Sequence, residues 1–136
     1  MKQKEITICG KQVKICYCAA TENGYEQIRG KNINIFVPTF GKDEKGRAIV
    51  VEEAKALTGD YVTLAIAGIV AAYSYENQDP PLDGKEIIYE ATPAERNELI
   101  TTILALRGEW YNIPAVVEES LAKEQQKEDE EEGEKN

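Results

Sequence analysis

The longest apolar stretch of the chain lies within Tyr61–Glu76, where only Thr63, Gly68 and Ser74 interrupt the nonpolar residues. Fifteen residues form a helix of about 22 Å, whereas a helix that crosses a bilayer needs about 20 apolar residues. A helix that is apolar on all sides but too short to span a membrane is typical of the buried centre of a globular domain. The pattern therefore predicts a central core helix.

The two sides of this predicted helix differ in side-chain size. We expect the bulky side to pack on the apolar face of residues 99–106 and on an N-terminal hairpin. The small side consists of Ala65, Gly68 and Ala72, and it allows another backbone to come close. Its neighbour is the first helix of the chain, a second subunit or a helix of a partner, and we favour an internal neighbour. The bulky residues are Val62, Ile66, Ile69, Val70 and Tyr73.

Residues 4–18 alternate between apolar and polar side chains, which predicts a β-hairpin. Gly10 and Lys11 form its two-residue turn in this prediction, because glycine suits the first central position of a type II′ turn. The predicted register pairs Ile8 with Val13, Ile6 with Ile15, and Lys4 with Tyr17.

Two helices carry clear terminal signals. Ala19–Arg29 is predicted as a helix that ends at the C-cap Gly30. Thr92 and Glu95 form a capping box around Pro93, and apolar residues follow at helical spacing from Leu99 to Leu106. We expect Arg107 and Gly108 to end or bend this helix, and Asn112 to cap a last one.

The remaining segments carry weaker patterns. Asn32–Val37 is predicted to be extended. Ile49–Val51 either pairs with Ile33–Val37 or starts a helix, and we favour a helix over Val50–Leu57. Asp60 is expected as the N-cap of the central helix, and Asn77–Glu90 as a loop with at most a short extended piece at Ile87–Tyr89.

These elements predict an α+β fold that is mainly α, with an N-terminal hairpin packed on about four to five helices. Residues 1–122 form one globular domain, and residues 123–136 form a flexible acidic tail. Residues 118–136 contain nine acidic residues and three lysines, so they hold −6 of the net charge of −9. The rest of the chain is therefore only mildly acidic.

The acidic balance argues against nucleic acids and anionic membrane surfaces as partners, because both carry negative charge. The N-terminus MKQKEITICG lacks the apolar core of a signal peptide. Cys9, Cys16 and Cys18 are an odd number of cysteines, which is typical of reduced thiols. We therefore expect a cytoplasmic protein.

The sequence offers no catalytic motif. It has no histidine, and the spacing of Cys9, Cys16 and Cys18 matches no zinc site. No phosphate-binding glycine motif is present, and the neighbouring acidic pairs are expected on the solvated surface. We therefore predict no catalytic, cofactor or metal site. These acidic pairs are Glu52 with Glu53 and Asp79 with Asp83.

Aromatic residues near the helix ends are the candidates for partner binding, because Trp and Tyr are enriched in binding hot spots. Tyr75 follows the central run, and Trp110 and Tyr111 lie between the last two predicted helices. The alternative is that Trp110 and Tyr111 close the end of the core. The candidate set for partner binding is Ala65, Gly68, Ala72, Tyr75, Trp110 and Tyr111.

Three stretches in this order resemble the tail assembly chaperones of tailed phages and prophages. They are ITICGKQVKICYCAATENGYEQIRGKNI at the start, LAIAGIVAAYSY in the centre, and IIYEATPAERNELITTILALRGEWYNIPAVVEE towards the end. The resemblance covers most of residues 4–122, although the polar loop at 38–48 has no place in the family pattern.

The resemblance implies a non-enzymatic protein of the host cytoplasm during phage assembly. Such chaperones bind the long helical tape-measure protein, help to recruit the major tail protein, and are absent from the mature virion. Self-association is a further expectation. The alternative is an acidic inhibitor or nucleic-acid mimic that occupies a basic groove, but such a protein needs carboxylates spread over an ordered surface. Here two-thirds of the net charge lies in residues 118–136.

Overall fold

A computed structural model describes residues 2–112 of the protein. An N-terminal antiparallel hairpin packs on a set of four helices, which confirms the predicted fold class. The expected acidic tail and the expected last helix after Asn112 lie outside the described residues. The elements in chain order are β1 (Gln3–Ile8), β2 (Lys11–Cys16), α1 (Ala19–Arg29), a 3₁₀ turn (Ile33–Phe36), β3 (Thr39–Lys42), β4 (Ala48–Glu52), α2 (Thr58–Tyr75), α3 (Gly84–Glu90) and α4 (Pro93–Tyr111).

Helix α2 is the centre of the core, as its apolar pattern predicts. Its side chains are buried from Val62 to Ile69, and α1, β2, α3 and α4 all pack against it. The helix begins at Thr58, earlier than expected, and Asp60 is therefore its third residue rather than its N-cap. The Asp60 carboxylate accepts a hydrogen bond from the Leu57 amide at 2.9 Å, which satisfies one of the unpaired donors at the helix start.

The small side of α2 faces the N-terminal hairpin and α4 at Gly68. Tyr73 of the bulky side also contacts the hairpin as predicted, because its hydroxyl accepts a hydrogen bond from the Lys14 amide at 3.2 Å. A Cβ atom at Gly68 would lie 2.6 Å from the Cys16 carbonyl oxygen and 2.8 Å from Cδ1 of Ile103. The absence of a side chain at Gly68 is what lets the backbone of β2 approach the helix. The internal neighbour that we favoured for this side is therefore present, and it is strand β2 rather than α1.

The hairpin forms as predicted, but its register is different. Cys9 and Gly10 both have positive φ angles, 52° and 76°, as a type I′ turn requires. Ile6 therefore pairs with Val13 instead of Ile15. The two registers differ by two residues along the strand, so every side chain keeps its predicted face. The Cys9 amide donates a hydrogen bond to the Glu95 carboxylate at 2.6 Å, which ties this turn to the start of α4.

Helix α1 matches its prediction at both ends, with Gly30 at φ 67° as the C-cap. The capping box of α4 is also confirmed, since Thr92 and Glu95 exchange hydrogen bonds between side chain and backbone. However, α4 does not end or bend at Gly108. It continues to Tyr111 because Gly108 is buried against the rest of the fold, where packing outweighs the low helix propensity of glycine.

The expected helix over Val50–Leu57 is wrong, because Ala48–Glu52 forms strand β4 and pairs with β3. The turn between the two strands decides this. The Asp43 carboxylate accepts hydrogen bonds from the backbone amides of Lys45 and Arg47, and Gly46 has a φ of 77°. These bonds reverse the chain immediately before Ala48, so that the apolar run leaves the turn as a strand.

Two further segments differ from their predictions. Asn32–Val37 is not extended, because the Asn32 side chain accepts a hydrogen bond from the Asn34 backbone amide at 2.8 Å and starts a 3₁₀ turn. The segment Asn77–Glu90 contains helix α3 in addition to a loop. Asp83 is its N-cap and accepts a hydrogen bond from the Glu86 backbone amide at 2.8 Å. This cap is the start signal of α3, and the sequence prediction did not include it.

Candidate protein-binding surfaces

A half-open apolar groove lies between the second half of α2 and the segment that leads into α3. Its volume is about 290 Å³, roughly twice that of a ~150 Å³ cavity that admits benzene. Val70 lies on its floor and is 44% exposed, although the residues before and after it on α2 are buried. The groove can therefore accept an apolar side chain from outside the domain. Its other lining residues are Ile66, Ile69, Asp79, Pro80, Leu82, Asp83, Gly84 and Ile87.

The lining of this groove includes two acidic residues, of which Asp83 also caps α3. Asp79 and Asp83 belong to the lining, and residues 76–90 contain five acidic residues and one lysine. Ile88 and Tyr89 on α3 belong to this segment and are exposed. An apolar lining that includes two carboxylates suits an apolar side chain that has lysine or arginine beside it, because charge complementarity favours such a ligand.

The predicted aromatic residues lie at two different places. Tyr75 is 75% exposed at the end of α2, where the neighbouring Glu76 forms an ion pair with Lys14 of β2. Trp110 and Tyr111 lie at the end of α4, and both are about half exposed. The structure therefore does not bring all three aromatic residues into one surface.

Tyr111 is held by contacts within the chain. Its ring lies 6.1 Å from that of Tyr17, and the Arg107 guanidinium is 5.1 Å from the Tyr111 ring. The hydroxyl groups of Tyr17 and Tyr111 both donate to the same carboxylate oxygen of Glu22. These contacts agree with the alternative prediction, in which Tyr111 closes the end of the core. Trp110 remains the more accessible side chain of the two.

The three small residues of the candidate set are inside the fold. Ala65 and Ala72 are fully buried, and Gly68 lies against the backbone of β2. Their small size is thus explained by close packing between α2 and the hairpin, and the surface that is open to a partner on α2 is at Val70 and Tyr75. The groove around Val70 escaped the sequence reading because α3 was expected to be a loop.

A single buried carboxylate, that of Asp60, is surrounded by hydrogen-bond donors where α1 meets the start of α2. Asp60 is fully buried and accepts hydrogen bonds from the Tyr25 hydroxyl at 3.0 Å, the Arg29 guanidinium at 3.0 Å and the Lys31 ammonium at 3.2 Å. Burial acts to raise the pKa of Asp60, but these bonds and the Leu57 amide outweigh it and lower the pKa to about 2. The acceptor positions of this carboxylate are occupied by donors from the same chain, which indicates a structural role.

The three cysteines are free thiols in different environments. Cys16 is buried against α2, and burial raises the pKa of its thiol to about 12. Burial also acts to raise the pKa of Cys18, but hydrogen bonds from Thr21 lower it overall. Within residues 2–112, no three side chains of Cys, Asp or Glu are grouped so that they could hold a metal ion.

Comparisons with known protein families, with curated proteins and with solved structures find no match for this chain. Among the described residues, none of the helices is both long enough and apolar enough to cross a membrane.

Proposed function

We propose that this protein is a non-enzymatic assembly chaperone of phage tail morphogenesis, which acts in the host cytoplasm. In this proposal it binds the tape-measure protein, and tail-tube subunits, before the tail is complete. The observation that carries the proposal is the apolar groove around Val70, whose lining includes Asp79 and Asp83. A long helical protein exposes apolar stripes that aggregate unless another protein covers them, and a groove of this kind accepts one side of an amphipathic helix.

The acidic residues that line the groove predict the charge pattern of a partner helix. Asp79 and Asp83 stand beside the apolar floor, so the bound helix should carry lysine or arginine next to its apolar residues. Such pairs at the edge of an interface steer association more than they add affinity. Binding should therefore weaken as the salt concentration rises, because salt screens charges at the surface.

Co-expression tests the proposal. The full-length protein is produced together with the tape-measure protein encoded in the same phage or prophage, and the soluble fraction of the tape-measure protein is measured. We expect that fraction to rise several-fold over expression alone. No change in solubility, together with no complex on copurification, would refute the chaperone function.

A matched pair of variants tests the groove itself. Val70→Glu places a charge on the apolar floor and should abolish the gain in solubility. Ile28→Glu is the control, because Ile28 is an apolar residue on α1 that is 58% exposed and outside the groove. Both variants should give the wild-type circular dichroism spectrum. Equal solubility gains with the two variants would show that the groove is not the binding site.

The gene neighbourhood is a second, independent test. A gene for a major tail protein immediately upstream and a very long gene with helical periodicity downstream would support the proposal. A location among genes of host metabolism would argue strongly against it.

A further inference from the structure

The second hairpin, β3–β4, exposes apolar side chains on both of its faces. Val51 is 65% exposed, and Phe40 and Ile49 are each exposed by more than two-fifths. Within residues 2–112, the two strands pair with each other and neither makes extensive contacts with another element. A two-stranded hairpin on its own is only marginally stable in water. This hairpin therefore has apolar surface that the described part of the chain leaves open.

The outer edge of β4 has free backbone groups at defined positions. The Asp43 amide donates to the Arg47 carbonyl at 2.9 Å, which makes these two residues a hydrogen-bonded pair. Hydrogen-bonded and non-hydrogen-bonded pairs alternate along an antiparallel ladder, so Gly41 and Ile49 form the next bonded pair. The backbone groups of Ala48 and Val50 consequently point away from β3, and no other described residue binds them.

The hairpin is electrically neutral in an acidic protein. Residues 39–55 contain four basic and four acidic residues, whereas the whole chain carries −9. The net negative charge of the chain makes two copies repel each other, but the hairpin contributes nothing to this repulsion. The basic residues are Lys42, Lys45, Arg47 and Lys55, and the acidic ones are Asp43, Glu44, Glu52 and Glu53.

We propose that two copies of this protein associate through the outer edges of β4 and form a four-stranded antiparallel sheet. The two-fold axis passes between the Ile49 residues of the two copies. In this register Ala48 of each copy is opposite Val50 of the other, so the free backbone groups of both residues exchange hydrogen bonds.

The proposed interface is small, so the dimer should be weak and visible only at raised concentration. Sedimentation velocity on the full-length protein, from about 10 µM to about 1 mM, should show a monomer that converts reversibly to a dimer. Wild-type protein that stays monomeric throughout this range would overturn the proposal.

Proline variants identify the edge. Val50→Pro removes an amide that points outwards on β4 and leaves the bonds to β3 intact. The lost hydrogen bond occurs once in each copy, so the dissociation constant should rise by about tenfold or more. Lys42→Pro is the control, because its amide points outwards on the other edge of the same hairpin, and it should leave the dimer unchanged. An equal loss with both variants would refute the assignment to β4.

A crosslink gives a measurement that does not depend on proline. In a background with Cys9→Ser and Cys18→Ser, we expect Ile49→Cys to form a disulfide-linked dimer under mild oxidation. Opposite residues at a non-hydrogen-bonded position of an antiparallel pair lie close enough for a disulfide. Ile28→Cys on α1 is the exposed control. Crosslinking of Ile49→Cys at no more than the rate of this control would also overturn the proposal.

Discussion

Replacement of Gly68 by alanine tests the closest contact in the core, that between α2 and strand β2. The new Cβ would lie 2.6 Å from the Cys16 carbonyl oxygen, 2.8 Å from Cδ1 of Ile103 and 3.1 Å from Cγ1 of Ile15. The two isoleucine side chains can rotate away, but the carbonyl oxygen belongs to the backbone of a paired strand. It moves only if the hairpin moves.

The size of the effect follows from two opposing contributions. Overpacking of a well-packed core costs about 1–3 kcal/mol, and the contact with backbone at Gly68 places this site towards the upper end. Alanine is favoured over glycine inside a helix by about 1 kcal/mol. We therefore expect Gly68→Ala to lower the free energy of unfolding by about 1–2 kcal/mol.

The chain provides a matched control in Gly24, which lies inside α1. A Cβ at Gly24 would be 3.5 Å from Cβ of Ala67, an ordinary contact distance. Gly24→Ala has the same effect on helix propensity without the collision, so it should raise the free energy of unfolding by about 0.5–1 kcal/mol. Urea unfolding followed by circular dichroism measures both variants. A Gly68→Ala protein that is as stable as Gly24→Ala would contradict the close contact between Gly68 and the backbone of β2.

Two further predictions concern buried groups. Asp60→Asn should lower the free energy of unfolding by about 1.5–3 kcal/mol, because Arg29 and Lys31 lose the charge that they bind but remain partly exposed to water. The pKa of Asp60 is lowered from 3.8 to about 2 in the fold. Its contribution, roughly 2 kcal/mol, is therefore present above pH 4 and is lost as the pH falls towards 2, and urea unfolding across this range should show a larger loss in wild type than in Asp60→Asn. A thiol reagent at pH 8, read by mass spectrometry, should label Cys18 in the folded protein and Cys16 only after unfolding. Equal labelling rates would contradict the burial of Cys16.

The sequence predicted those elements whose signals are local. Gly30 ends α1 because it supplies the left-handed conformation at the C-cap, and the Thr92 capping box starts α4 through hydrogen bonds among four consecutive residues. Both signals act within one helical turn. Local chemistry alone is therefore enough to place them.

Two of the errors occurred where distant contacts decide between local alternatives, whereas β4, the 3₁₀ turn and α3 were missed although Asp43, Asn32 and Asp83 supply local signals. A turn at either Cys9–Gly10 or Gly10–Lys11 keeps the same side chains on each face of the hairpin, and the hydrogen bond from Cys9 to Glu95 spans 86 residues. Helix α4 likewise continues through Gly108 because that residue is buried by other parts of the fold. Neither contact leaves a signal in the neighbouring sequence.

The candidate groove was missed because α3 was expected to be a loop, although Asp83 is a local N-cap signal. The short length of α3 also explains why the groove exists. Helix α2 is apolar on every side, and α1, β2 and α4 cover most of it. The remaining side is covered by α3, which has seven residues and extends for about 10 Å, whereas the 18 residues of α2 extend for about 27 Å. Val70 is the apolar residue that this short cover leaves half exposed on the groove floor. An apolar side chain from a partner helix would complete the cover, so binding at the groove should also stabilise the protein itself, by an amount that rises with the free concentration of the partner.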